Sequence, residues 1–392
     1  MNDDNLDQDK TIWIAAVEGG GTSFVVAVSQ VPSPSSATTQ EPNILHRCEI
    51  DSSHDQPQRT LQECAAFLQQ HRPKGGYHAL GIATFGPVGL NTTSLETYGR
   101  ILATSPKASW RNVDVLTPLM EACRGRRPLA VKIDTDVNAP AVAEYLLEKE
   151  KKNSTISSLA YVTVGTGIGV GLVINGAPVH GRMHPEGGHV PIQPLPGDPF
   201  EGYSWGQKAP YRGRLTVESM TSSVALTERL EQMTNTKLSS RQALADLDDD
   251  HAVWDHAANA LANLCVTLIL TTSIEKIVLG GGIMKRKGLI EKVRKQTVTL
   301  MNGYVELPED MSELITLSSY GSNVGLVGAI VLAQQALAEA TIKTTGTSSS
   351  SEKNILNAKR TAYNVGLQHG IVVGLTIAFV AYMQLSRPRH SR

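Results

Sequence analysis

Three short stretches of this chain combine residue types that could do chemistry. The first is Asp134-Thr135-Asp136-Val137-Asn138, two carboxylates directly after an apolar run. A carboxylate at the carboxyl end of a buried strand, beside a helix N-terminus, stands where open α/β sheets place ligands. Either aspartate could instead cap the helix that follows. The second stretch is His184-Pro185-Glu186-Gly187-Gly188-His189. Glu186 and His189, three apart in a Pro/Gly-rich loop, can both turn toward one polar ligand. The third is a pair of glycine turns, Glu18-Gly19-Gly20-Gly21-Thr22 and Gly165-Thr166-Gly167-Ile168-Gly169. Such tips expose backbone N–H groups that a phosphate can approach closely. A single one is commonly just a tight hairpin; its recurrence is what points to phosphate.

The elements that must position these residues are legible from periodicity. Thr11–Val17 and Ser23–Ser29 read as strands around the first turn, and Leu159–Val164 and the run to Ile174 as strands around the second. Asn175-Gly176 then signals a tight hairpin, because both central residues of a type I′ turn need positive φ. The same strand–tip–strand layout near the start and in mid-chain suggests two related domains facing a shared site. Residues 31–43, rich in Ser, Thr and Pro, read as a loop. Pro57–His71 reads as a helix with Leu61, Cys64, Ala65 and Leu68 on one face. Ala79–Phe85 and Leu129–Ile133 read as buried strands, and Trp110–Cys123 as a helix interrupted near Pro118. Pro140 can open the helix after Asp136. Val190–Arg214 is a long loop with Phe200, Tyr203, Trp205 and Tyr211. Leu215–Glu231 turns helical and carries Glu218. Asp255–Ser273 is apolar almost all round and should be a buried helix. Ile277–Leu279 is a strand ending in Gly280-Gly281-Gly282. Gly288–Met301 is an amphipathic helix, Ile315–Ser319 a strand, and Asn323–Ala340 a helix of small residues that can pack closely.

Composition narrows the function. The chain has 392 residues and a net charge of −1, with acidic and basic residues mixed. No basic patch or N-terminal helix-turn-helix suggests nucleic acid. The four cysteines, Cys48, Cys64, Cys123 and Cys265, are widely spaced, which fits a reducing compartment and argues against disulfides or a cysteine-held metal. Residues 1–10 are acidic and polar, unlike a secretory signal or a transit peptide, and read as a disordered tail. Residues 341–361 read as a flexible linker. Residues 362–386 carry no acidic residue and are followed by basic ones, which suggests a helix long enough to anchor the chain in a membrane.

The motifs resemble those of ROK-family sugar kinases (repressor, open reading frame, kinase), and within them the fructokinases. The resemblance runs from about Trp13 to Ala340. It rests on VEGGGTSFVVAV, GIATFGPVGLN, DTDVNAPAVAEY, YVTVGTGIGVGLVINGAPVHG, HPEGGH and IVLGGGIM, in the family's order and spacing. It implies an α/β fold of two ribonuclease H-like, actin-like ATPase domains with an interdomain cleft, to which the C-terminal hydrophobic helix is added. The lobes would be residues 11–137, completed by helix 322–340, and residues 138–321.

The resemblance also implies roles. Gly20, Gly21 and Thr22 would hold ATP phosphates, Gly165, Thr166 and Gly167 would form the second phosphate loop, and Gly280, Gly281 and Gly282 would lie along the adenosine. Asp136 would be the general base, with Glu186, His189 and Glu218 on the sugar hydroxyls. ATP, Mg²⁺ and a hexose, fructose first among them, are the implied ligands, and a homodimer is a common state in the family. With the tail inserted, the catalytic part would face the cytosol. Two departures stand out. Ser23 replaces the lysine that usually follows Gly-Gly-Thr. The loop after His189 lacks the cysteines and histidines that hold a structural zinc in many members, so zinc is not expected. The alternative that these departures favour is a membrane-tethered sugar sensor without turnover; a kinase for another hexose, glucose or mannose, is the other alternative.

Overall fold

The computed structural model describes residues 11–31, 43–52, 55–151, 154–238 and 242–345. The expected tail (1–10), most of the Ser/Thr/Pro loop and the membrane-anchor segment lie outside the described residues. The described residues up to Ala338 form one compact unit.

Two mixed sheets repeat one pattern. In the first, β1 (Ile12–Gly19), β2 (Ser23–Val31) and β3 (Asn43–Asp51) form an antiparallel meander. After helix α1 (Pro57–Gln70), strand β4 (Ala79–Thr84) lies parallel to β1. After α2 (Leu116–Cys123), strand β5 (Ala130–Thr135) lies parallel to β4, giving the order β3-β2-β1-β4-β5. Helix α3 (Asn138–Glu150) leads to the second meander, β6 (Leu159–Val164), β7 (Ile168–Ile174) and β8 (Ala177–Pro178). Helices α4 (Val217–Thr221), α5 (Ser223–Thr234), α6 (Gln242–Ala245) and α7 (Val253–Thr272) follow. Strand β9 (Ile277–Gly280), helix α8 (Leu289–Met301) and strand β10 (Ile315–Leu317) complete a sheet of order β10-β9-β6-β7-β8, before the final helix α9 (Val324–Thr345).

Alternation along the strands fixes the layers, since successive side chains point to opposite faces. Ala15 and Val17 of β1, with Phe24, Val26 and Val28 of β2, face a core shared with α1 and α2. Ile14 and Ala16, with Val25 and Ala27, face α9 through Leu326, Ala329, Ile330 and Ala333. In the second sheet, Leu159 and Tyr161 face α3 and α9 through Val142, Val327 and Val331. Ala160, Val162 and Val164 face the large core built with α5, α7 and α8. Helices α3 and α9 thus fill the space between the sheets.

That middle layer is tight because glycines line it. A Cβ on Gly81 of β4 would lie 1.8 Å from the Ala329 carbonyl oxygen of α9. One on Gly328 would lie 2.5 Å from the Ala139 backbone of α3, and one on Gly171 of β7 would lie 2.0 Å from the Val137 carbonyl oxygen. The expected small-residue helix therefore packs closely on both sides.

Several elements differ from the sequence reading. Helix α2 runs unbroken through Pro118, which sits in its first turn, where the missing N–H would have no helical partner in any case. The expected 215–231 helix is two: Ser222 turns extended (ψ 155°), and its side chain accepts from Ala225 N–H at the start of α5. Residues 341–345, read as linker, continue α9. The aromatic loop after His189 is held by an ion pair as well as by ring packing. Arg229 makes a two-pronged pair with Asp198 at 2.8 and 2.9 Å, both groups being buried, and its guanidinium lies 4.4 Å from the Phe200 ring centroid. Burial pushes the Asp198 carboxyl up, but Arg229 and the Phe200 N–H outweigh this and hold it below the usual carboxylate range.

The Gly81 contact makes a direct test of the middle layer. Gly81→Ala should destabilise the protein by about 1–3 kcal/mol through overpacking, seen as a lower urea midpoint. An unchanged midpoint would contradict the close approach of β4 and α9.

Candidate active site

The carboxyl ends of three parallel strands form one row. Gly19 of β1 pairs with Thr84 of β4, which pairs with Thr135 of β5. The Asp136 N–H donates to the Thr84 carbonyl at 2.9 Å, so the residue after β5 is fixed to the same edge. The first glycine turn leaves this edge too. It is closed by Gly20 N–H donating to the Ser23 carbonyl at 2.9 Å, and a Cβ on Gly21 would meet nothing within 4 Å.

The two aspartates divide the work. Asp134 is buried and accepts from Thr135 N–H at 2.8 Å and from Asn138 Nδ2 at 3.0 Å. His180 Nε2 lies 2.9 Å from its other oxygen, and this bond is the main reason the His180 pKa is raised. Asp134 therefore braces the start of α3, where Thr135 Oγ1 also accepts from Asn138 N–H at 2.9 Å. Asp136 is left to face its surroundings.

The second glycine turn sits at the corresponding edge of the other sheet. Thr163 of β6 pairs with Gly280 of β9, so Gly165–Gly167 and Gly280–Gly282 leave adjacent strand ends. Gly281 has φ +91°, and a Cβ there would lie 2.4 Å from the Val164 carbonyl oxygen, which makes glycine necessary. Glu218 reaches the other turn. Its carboxylate accepts from Ile168 N–H at 2.8 Å, and a Cβ on Gly167 would lie 2.6 Å from the same oxygen. A reciprocal cap between Thr216 and Ser219 starts α4 and sets Glu218 in its first turn.

The Glu186 loop lies against β7: a Cβ on Gly188 would stand 1.9 Å from the Ile168 carbonyl oxygen. His189 stands between two acids, with Nε2 4.0 Å from Glu186 and Nδ1 3.9 Å from Glu218. Its Nδ1 is buried and makes no hydrogen bond within the protein. His184 ties this loop across to the segment that follows β4, accepting from Val88 N–H at 3.2 Å.

Charge shows how closely the parts converge. Burial, countered by Lys107 and a backbone N–H, raises Asp136 to about 6. Burial and then the Asp136 charge raise Glu18 to about 7. Burial, followed by Glu218 and Asp136, raises Glu186 to about 7. Burial raises Glu218 as well, with His189 and the Ile168 N–H opposing it. Asp136 from the first sheet and Glu186 from the second thus feel one another. A carboxylate poised near neutrality can accept a proton, and the flanking acids suit paired hydroxyls.

The sequence reading did not single out Glu18, Lys107, Asn138 or His180 for the site. Glu18 carried a signal, since it directly precedes the first glycine turn. Lys107 carried none, because it lies in an irregular segment between β4 and α2 and only folding brings it to the Gly21 carbonyl.

Comparisons with known proteins bear on family and fold. The model of the ROK family matches residues 14–336. The fructokinase of Zymomonas mobilis subsp. mobilis is 34% identical over 331 residues, covering 84% of this chain and 98% of that protein. Among solved structures, the ROK hexokinase from Thermus thermophilus superposes with a TM-score of 0.62 at 20% identity, covering 84% of this chain and 100% of that one. The ROK family glucokinase from Streptomyces griseus in complex with glucose and AMPPNP gives 0.59 at 19% identity, covering 82% and 99%. At these identities the structures establish likeness of fold.

The shifted acids can be measured directly. Carboxyl-carbon NMR titration should place Asp136 near 6 and Glu18 and Glu186 near 7. Midpoints near 4 for all three would mean that they do not share a desolvated place.

Proposed function

This chain belongs to the ROK family, and from that premise we propose that it is an ATP-dependent hexose kinase that converts fructose to fructose 6-phosphate. The observation that carries the reading is Asp136: a carboxylate raised to about 6, on the strand edge of the first glycine turn and within electrostatic reach of Glu186. Similarity to fructokinases supports fructose as the hexose.

In this reading Asp136 accepts the proton of the sugar hydroxyl as its oxygen bonds to the γ-phosphorus and the bond to ADP breaks. A sugar hydroxyl is a weak nucleophile at neutral pH, and a positioned base contributes about 10²–10⁴-fold. Glu186, His189 and Glu218 hold the other hydroxyls; the carboxylates accept paired hydrogen bonds. The glycine turns at Gly20–Thr22 and Gly165–Gly167 let phosphate oxygens approach the backbone closely, the Gly20 and Gly165 N–H groups themselves closing the turns, and Gly280–Gly282 lie along the adenosine. The lobes are residues 11–137 with helix 322–340, and residues 138–321. Their closing would exclude water, which competes as phosphate acceptor.

The acids also fit Mg²⁺, which takes one or two carboxylates and completes its shell with water and substrate phosphates. Glu18 and Asp136 are near enough for each charge to act on the other, and Glu18 would be the residue that holds the ion. When bound, Mg²⁺ supplies charge neutralisation for the phosphates.

Asp136→Asn should lower kcat with fructose, ATP and Mg²⁺ by at least about 10²-fold while the thermal midpoint stays near wild type. In the wild type, kcat/KM should fall as pH drops through about 6, because protonated Asp136 no longer accepts a proton. Full activity in the variant would remove Asp136 from this role. Sugar binding by calorimetry with no turnover of any hexose would favour the sensor reading, to which the serine at position 23 is the pointer.

The apolar segment 362–386 supports a second proposal, attachment to a membrane by the C-terminal tail with the kinase facing the cytosol. The full-length chain should stay in the membrane pellet after carbonate extraction; its release to the supernatant would count against insertion.

A further inference from the structure

The kinase reading leaves a charge problem. Glu18, Asp136, Glu186 and Glu218 gather four carboxylates, and a nucleotide triphosphate brings several more negative charges. Neither glycine turn contains a cation: residues 19–23 are Gly-Gly-Gly-Thr-Ser, and 165–169 are Gly-Thr-Gly-Ile-Gly. Phosphoryl transfer depends on positive charge placed at the transferred group.

A lysine arrives from outside both turns. Lys107 precedes the short 3-10 turn Ala108–Trp110, and its Nζ donates to the Gly21 carbonyl at the tip of the first glycine turn. The ammonium stands 4.0 Å from the Phe85 ring centroid and 6.0 Å from that of Trp110. Cations favour such ring faces. The rings form one block, for Trp110 stacks on Phe24 at 5.2 Å and meets Phe85 edge-on at 5.2 Å. Phe24 is the second residue of β2, the return strand of the glycine turn, and Phe85 directly follows β4. The Lys107 ammonium is therefore held by a block of rings that joins β2, the strand returning from the phosphate turn, to the end of β4 beside β1. The Gly21 carbonyl alone is a modest partner for a half-buried ammonium. Burial depresses the Lys107 pKa, while the nearby charges of Asp136 and Asp55 oppose that shift.

We propose that Lys107 is the phosphate-binding cation of this site, held against the Gly21 carbonyl and the Phe85 ring until a nucleotide arrives, and then paired with the oxygens of the transferred phosphoryl group. The inference rests on the kinase reading and names a residue that reading does not use. A consequence concerns the base. Among the described residues, Lys107 before the 3-10 turn, Glu18 on β1, Glu186 in the loop after β8 and Tyr161 on β6 interact with Asp136. Of these, Lys107 is the one that favours the ionised carboxyl.

Three variants of the full chain separate charge from scaffolding. Lys107→Met removes both the charge and the bond to Gly21. Lys107→Gln can still donate to the Gly21 carbonyl but carries no charge. Lys107→Arg keeps the charge. The readouts are ATP binding by calorimetry without sugar, kcat and KM for ATP, and the pH profile of kcat/KM, with thermal midpoints to check folding. Loss of one such charge-stabilising group should lower kcat/KM for ATP by about 10²–10³-fold in the Met and Gln variants. Their ATP affinity should fall, and the acid limb of the pH profile should move to higher pH. Lys107→Arg should restore most of the lost kcat/KM. Wild-type behaviour of Lys107→Gln would overturn the inference and leave Lys107 a prop for the turn, as would a Lys107→Arg variant as impaired as Lys107→Gln. If the wild-type chain turned over no hexose, the kinase reading would fall. ATP affinity would then decide on Lys107 separately: weakened binding in the Gln variant supports it, and unchanged binding ends it.

Discussion

The architecture depends on backbone-to-backbone approach in the layer between the two sheets. Gly81 lets α9 lie on β4, Gly328 lets α9 cross α3, and Gly171 lets β7 press on the start of α3. A side chain at any of these places would collide with main-chain atoms, which cannot rotate away as a flexible side chain can. The consequence reaches the site. Asp136 sits between the end of β5 and the first turn of α3, so the packing that fixes α3 also aims the carboxylate. Asp134, Thr135, Asn138 and His180 complete that support with hydrogen bonds.

Electrostatics then follows from placement. Glu18 and Asp136 stand at the carboxyl edge of the first sheet, whereas Glu186 and Glu218 come from the loop after β8 and from α4, which lie against β7. Carboxylates that would be unremarkable on a surface are desolvated and mutually repelled, and Asp136, Glu18 and Glu186 move toward neutrality. Such a cluster stores unfavourable charge, which is what a site for bound cations and hydroxyl donors needs. The loop after His189 follows another rule. There the buried acid Asp198 has a two-pronged arginine partner, and the pair holds the loop on α5.

Much of this was legible in the residues. The two glycine turns, the aspartates after a buried strand and the Glu186/His189 loop were visible because turn chemistry and strand ends are local properties. The repeat of strand, tip and strand foretold the repeated sheet order. Element boundaries were less legible where one residue decides them. Ser222 breaks a helix by serving as a cap, and Pro118 fails to break one because it occupies the first turn. The continuation of α9 to Thr345 was hidden by a composition that suits linkers equally well.

What the chain determined by itself is the set of local conformations and the identity of the family, since periodicity, glycine turns and motif order are written along one dimension. What only the tertiary structure decided is which groups share a dielectric and a field. Glu18 and Asp136 are more than a hundred residues apart, and Asp55 and Asp136 lie on opposite sides of their common partner Lys107 along the chain. Coulomb interaction depends on distance through space and on burial, and neither quantity is a property of sequence separation. The same holds for the division between Asp134 and Asp136: two like residues two positions apart became a brace and a candidate base because one side chain meets His180 and Asn138 and the other does not.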